Sequence, residues 1–223
     1  MTKLKSLTIG ASTHSDWSFL NFLTSLEVVV IRNGDGESWE HARSNPWLHV
    51  SQLKNLRTIF CKASIDTSQM KSLLDNSPVE DLQAGTLSIG EQGLEFLKNA
   101  QQLEHLGLEV EVSPDQILSW REIAAQIGET PRLETFRLTV ELLDDEVVAG
   151  LELIPMQIGL YCTRIEISKE AADQLTKTKV ANIKVAIRPS GEQLSQLQAF
   201  QELINERRRA AGWPERGLLE ITQ

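Results

Sequence analysis

Residues 100–110 read AQQLEHLGLEV, and the three leucines of that stretch decide how the chain is built. Leu103, Leu106 and Leu108 spell the phrase apolar-x-x-apolar-x-apolar. In an extended strand, residues two apart share a face, so Leu106 and Leu108 turn toward a core while Gly107 faces away. A strand this short cannot bury its apolar side alone and has to stack on copies of itself. Upstream the copies are Leu4, Leu7 and Ile9; Leu26, Val29 and Ile31; Leu56, Ile59 and Cys61; and Val79, Leu82 and Ala84. Downstream they are Leu133, Phe136 and Leu138, then Met156, Ile158 and Leu160, then Val180, Ile183 and Val185. In the Met156 copy, Pro155 holds the first apolar place and the methionine stands one position late. The last members of successive copies are 22, 30, 23, 24, 30, 22 and 25 residues apart, the spacing of one supersecondary unit per repeat.

Three copies, LTSLEVVVI at 23–31, LKNLRTIFC at 53–61 and the 100–110 stretch, resemble the leucine-rich-repeat family, and the resemblance runs over residues 1–189. This chain departs from the family in one place per repeat. The asparagine three residues past the last leucine is replaced by Ser12, Gly34, Ser64, Leu87, Glu111, Glu141, Thr163 and Arg188. The resemblance implies an α/β fold: a leucine-rich-repeat solenoid of about eight parallel strands on a concave face, with helices on the convex face. The phrase predicts strands near 6–10, 28–32, 58–62, 81–85, 105–109, 135–139, 157–161 and 182–186, neighbouring one another in chain order.

Helix starts are written between the strands. Asp66 with Gln69 precedes Met70, Leu73 and Leu74; Ser113, Pro114 and Gln116 precede Ile117, Trp120, Ile123 and Ile127; Ser190 with Gln193 precedes Leu194, Leu197, Phe200, Leu203 and Ile204. Each is a capping-box pattern, and proline costs nothing at a first helical position. Pro78 and Pro131 stand after helices as breakers. Residues 190–223 are read as a C-terminal capping helix and tail, the helix covering 190–211 and stopping at Gly212 before Trp213-Pro214. At the other end the repeats begin almost at Met1. That predicts a missing N-terminal cap, or a first strand edge covered by another segment.

Composition narrows the function. Of 223 residues, 41% are hydrophobic and 24% charged, as in an ordinary globular domain. The net charge of −9 disfavours nucleic acid and anionic membranes as main partners. It suits a basic protein partner and equally suits plain solubility. The start MTKLKSLTIG lacks the long apolar run of a signal peptide, and no apolar run is long enough to span a bilayer, which predicts a cytoplasmic protein. Cys61 and Cys162 stand far apart with no CxxC, so neither a disulfide framework nor a zinc site is expected. Cys61 occupies an inward position, whereas Cys162, following Tyr161, is expected to be partly exposed. Nucleotide-loop, nucleophile-elbow and zinc-helix motifs do not occur. His14 and Asp16 have no third partner nearby in sequence and read as a turn and helix cap. No catalytic residue, cofactor or metal is predicted.

The expected activity is therefore that of a non-catalytic protein-binding module using the concave face, with no nucleic acid and no membrane as partner. One alternative is an immunity- or inhibitor-type protein that masks a basic enzyme or toxin. Another is an α/β enzyme with an unrecognised site. If the inward register holds, the outward residues form columns on the open face. Val28, Val30 and Phe60 make an apolar group there, bordered by Arg32 and Lys62, which is the composition of an interface centre. The same face carries His105, and Arg137, Tyr161 and Lys184 form a second group of residue types that dominate binding energy. Partner contact is predicted at these nine positions. The long 32–55 repeat, with Trp39, His41, Trp47 and His49, fits either a binding loop with exposed aromatics or a helix whose tryptophans fill the core. The Arg207-Arg208-Arg209 run fits a charged last turn favoured by the helix dipole, or a nucleic-acid patch.

Overall fold

The structure, a computed structural model, describes residues 4–11, 16–33, 46–90, 93–110, 118–186, 191–210 and 219–222. His14, Trp39, His41, Ser113, Pro114, Gln116, Ile117, Ser190, Gly212, Trp213 and Pro214 lie outside them, as does the expected boundary at 189/190. The fold is α/β with parallel strands, and the chain forms two compact units. The first is Met1–Val110 with Glu129–Glu134; the second is Glu111–Gly128 with Thr135–Gln223.

The first unit has strands β1 (Ser6–Ala11), β2 (Val28–Asn33), β3 (Thr58–Cys61), β4 (Ile65–Asp66), β5 (Asp81–Ser88) and β6 (His105–Glu109). Among the described residues two helices lie between them, α1 (Pro46–Val50) and α2 (Thr67–Asn76), with 3-10 turns at Ser18–Phe22 and Glu95–Asn99. β1, β2, β3, β5 and β6 pair in parallel in that order, and the short β4, which the repeat phrase does not announce, pairs with β5. The register aligns the phrases: Ile9 with Ile31, Ile31 with Cys61, Leu82 with Leu106. Val29, Ile31, Ile59, Cys61, Leu82, Leu106 and Leu108 are buried, as expected of inward positions. Leu7 and Ile9 are only half-buried, because β1 has one strand neighbour.

The steps into β2, β3, β5 and β6 are made the same way. The Lys5 carbonyl accepts from the amides of Glu27 and Val28, that of Glu27 from Arg57 and Thr58, that of Arg57 from Glu80 and Asp81, and that of Glu80 from Glu104 and His105. Side chains pair here as well: Lys5 with Glu27 at 2.7 Å and Arg57 with Glu80, each one residue before its strand, and Glu104, one residue before β6, with Arg132 at 2.7 Å.

Ala84 is a correction. It aligns with Cys61 but is half-exposed, because an irregularity between Gln83 and Thr86 inserts one residue relative to β6 and reverses the alternation. Gly85 and Leu87 take the inward places instead. A Cβ on Gly85 would stand 2.2 Å from the Lys62 carbonyl, so only glycine allows this approach.

Asp66 caps α2: its side chain accepts from the Gln69 amide at 2.8 Å while the Gln69 side chain accepts from the Asp66 amide at 3.1 Å. That is the capping box expected at these positions. Trp47 is the tryptophan of the 32–55 stretch that falls among the described residues. It lies on α1, 1% exposed, and its Nε1 donates to the Ala63 carbonyl at 3.4 Å, so it fills the core.

The second unit contains β7 (Thr135–Asp144), β8 (Gln157–Glu166), β9 (Val180–Ala186) and β10 (Leu219–Thr222), parallel and paired in chain order. Its helices are α3 (Trp120–Gly128), α4 (Asp145–Leu151), α5 (Lys169–Leu175) and α6 (Gly191–Ala210). Phe136, Leu138, Ile158, Leu160, Ile183 and Val185 are buried as the phrase requires. β7 and β8 run five residues beyond their expected ends, straight into the caps of α4 and α5. There Asp144 accepts from the Val147 amide and Ser168 from the Ala171 amide. At the start of α3, Ser119 and Glu122 exchange hydrogen bonds. Trp120 is fully buried and donates to the Val147 carbonyl at 2.8 Å, so α3 and α4 lock together where Gly150 leaves room for the indole. Past α6 the tail adds a strand not anticipated from the phrase: Leu219 and Ile221 of β10 stand beside Ile183 and Val185.

Candidate functional site

Eight of the nine expected contact residues fall on strands, and Lys62 directly follows one. Val28, Val30 and Arg32 lie on β2, Phe60 on β3, and Lys62 immediately after it. Val28 stands beside Thr58 and Val30 beside Phe60, since these are register partners. Val30 and Phe60 are half-buried; Arg32 and Lys62 are exposed. The four line one open groove of about 530 Å³. Val28 sits one row nearer the strand starts, next to Thr58, and is not part of the groove lining.

The groove is amphipathic by construction. Inward residues of β2 and β3 are consumed by the core, which leaves their outward neighbours to the open face. A solvated face ordinarily carries polar side chains, yet here two apolar ones adjoin across the strand pair. Their cations stand two residues farther along the chain, Arg32 on β2 and Lys62 just past β3, roughly 7 Å away at the rise of extended chain. Among the described residues neither Arg32 nor Lys62 forms an ion pair. The next strands differ: Gln83 beside Phe60 is polar and donates to the Asp81 carboxylate at 3.4 Å, and His105 stands beside Asp81. His105 is thus on the open face of the first unit but in a polar setting distinct from the groove.

In the second unit, Arg137 on β7 is exposed, while Tyr161 on β8 and Lys184 on β9 are half-buried. Tyr161 and Lys184 are register partners, and the Lys184 ammonium lies 5.9 Å from the Tyr161 ring centroid, within cation–π range. Arg137 is opposite Gly159, two residues before Tyr161. The three therefore gather on one face, with Asn182 beside Gly159.

The thiols are shut away. Cys61 and Cys162 are both free and buried, and burial pushes each thiol up to about 12 from its ordinary value. For Cys162 this corrects the expected partial exposure. β8 continues past it, so it occupies an inward strand position, 2% exposed. Asp16 has its carboxyl held below the usual range by the Ser18 amide and hydroxyl; it closes a turn before Trp17, the residue at the N-cap of the 3-10 turn, and is not itself the expected helix cap. Arg207 pairs with Asp173 of α5 at 2.8 Å, so one arginine of the basic run is engaged within the fold.

One exposed apolar group escaped the sequence reading. Phe22 is 84% exposed and Leu48 60%, with Phe19 at 40%. In the 3-10 turn Trp17 and Leu20 take the buried side, which leaves Phe19 and Phe22, also three apart, on the other. That double spacing was the available signal.

Among the described residues no helix is long and apolar enough to cross a membrane, and no three metal-binding side chains gather. No protein-family profile matches the chain, and no curated protein matches its sequence.

Proposed function

We propose that the chain is a leucine-rich-repeat solenoid acting as a non-catalytic protein-binding module in the cytoplasm, with the open face of β2 and β3 as the centre of contact. The observation that carries this reading is the groove formed by Val30, Phe60, Arg32 and Lys62. Apolar surface left in water costs about 25 cal/mol per Å². An aromatic and an aliphatic side chain side by side on an open strand face, rimmed by cations, are what an interface centre presents. The repeating carbonyl at the starts of β2, β3, β5 and β6 and the chain-order pairing inside each unit support the solenoid. An open-sheet enzyme would place its ligand where strand order reverses, and inside neither unit does it reverse among the described residues. An inhibitor of a basic protein would want carboxylates at its centre, and this groove offers cations.

Affinity capture with the wild-type chain and with Phe60→Ala tests the reading. Proteins retained by the wild type should be lost from the variant while both melt at similar temperatures. Identical captured sets would remove the β2–β3 face from consideration.

A further inference from the structure

We propose that the groove recognises an extended acidic peptide segment. One apolar side chain of the segment lies on Val30 and Phe60, and a carboxylate two residues along meets Arg32 and Lys62. The inference rests on the binding face proposed above and adds the chemistry of its occupant. It begins from the fate of the strand-end cations in the first unit. At the N-terminal ends of the strands, Lys5 is paired with Glu27 and Arg57 with Glu80. At the C-terminal ends, Arg32 and Lys62 are exposed and without an ion pair among the described residues. A chain of net charge −9 has carboxylates in excess, yet these two cations stand open beside its apolar groove.

Spacing supplies the rest. Val30 and Phe60 are opposite one another, and each cation is two residues downstream, Arg32 on β2 and Lys62 just past the end of β3. An extended peptide running along the strands also shows one face every second residue. An apolar residue and an Asp or Glu two positions apart therefore reach both features at once. Lateral limits come from Asp81 on β5 and exposed Glu109 on β6, whose charge repels an acidic segment beyond β3. A nucleic acid also seeks cations beside an aromatic ring, but two cations on a chain of net charge −9 are a weak field for a phosphate chain.

The test selects a random dodecapeptide display library on the full chain, then titrates the enriched peptides by fluorescence anisotropy. Enriched sequences should carry an aromatic or aliphatic residue with Asp or Glu two positions away. Their affinity should fall about tenfold in Arg32→Glu/Lys62→Glu and less in the milder Arg32→Gln/Lys62→Gln. It should also fall in Phe60→Ala and weaken with added salt. Neutral or basic peptides that are enriched and lost in Phe60→Ala would overturn the acidic assignment and leave the face standing. Peptides indifferent to Phe60→Ala would remove the face itself. Failure to enrich any peptide, or tighter binding of a labelled oligothymidine strand than of the best peptide, would also overturn the proposal.

Discussion

The open faces of the two units are built on the same inward phrase and differ in almost everything that faces out. In the first unit β2 and β3 are short, and their outward residues include Val28, Val30 and Phe60, none fully buried. In the second unit β7 and β8 have ten residues each, and their outward positions read Arg137, Thr139 and Glu141, then Gln157, Gly159, Tyr161 and Thr163. Inward, both units are buried aliphatic layers. The contrast teaches where information about function resides in such a chain. Inward residues are held to one chemistry by packing, while outward residues are held only by solvation and are therefore open to a partner's demands. An apolar departure on the outward side is a signal that the inward side cannot give.

The largest expected effect tests whether the inward layers are as alike as they look. Leu106→Ala in the first unit and Leu160→Ala in the second should each lower unfolding free energy by about 2–5 kcal/mol in denaturant titration. Ile9→Ala, at a half-buried position, should cost clearly less. A loss below about 0.5 kcal/mol at Leu106, as at surface sites, would mean the register is wrong.

Next come the glycines of the second unit. A Cβ on Gly150 would meet the Trp120 indole nitrogen at 2.2 Å, whereas one on Gly159 finds nothing closer than 3.4 Å. Gly150→Ala should destabilise by about 1–3 kcal/mol through displacement of the indole. Gly159→Ala should remain within about 0.5 kcal/mol. Equal effects would show that α3 and α4 do not lock as described.

Binding separates the outward faces. Phe60→Ala should weaken partner association by more than about 1 kcal/mol with little change in melting, and Tyr161→Ala is expected to do the same if the second face also contributes. Loss in Phe60→Ala alone assigns recognition to the first unit. Full affinity in Phe60→Ala, Arg137→Ala and Tyr161→Ala combined would move the search to the exposed Phe19, Phe22 and Leu48.

The smallest effect is one of chemistry. Because both thiols are raised to about 12, neither Cys61 nor Cys162 should react with an aromatic disulfide reagent at pH 8 until the chain unfolds. The sign for stability follows. Above a thiol's ordinary 9.0 the unfolded chain releases a proton that the folded one keeps, so their contribution is intact below that pH and declines as pH rises toward 12. Rapid labelling of one cysteine in the folded state would mark its unit as the one that opens locally.

Sequence alone determined the inward register. Pairs such as Val29 and Ile31, or Ile158 and Leu160, alternate with period two and lie beside their counterparts, because burial on one face leaves little freedom to slip by a residue. The Asp66–Gln69 cap was equally legible, since both partners lie within one turn. Tertiary structure decided what depends on residues distant in sequence. Ala84 was turned outward by the irregularity in β5, Cys162 was buried by a strand that continued past it, and Leu219 found a place beside Ile183. It also decided that Val30 and Phe60, thirty residues apart in sequence, share one groove. Alternation is a local property and can be read from neighbours. Adjacency across strands is set by packing and hydrogen bonding over the whole unit, and only the folded chain reveals it.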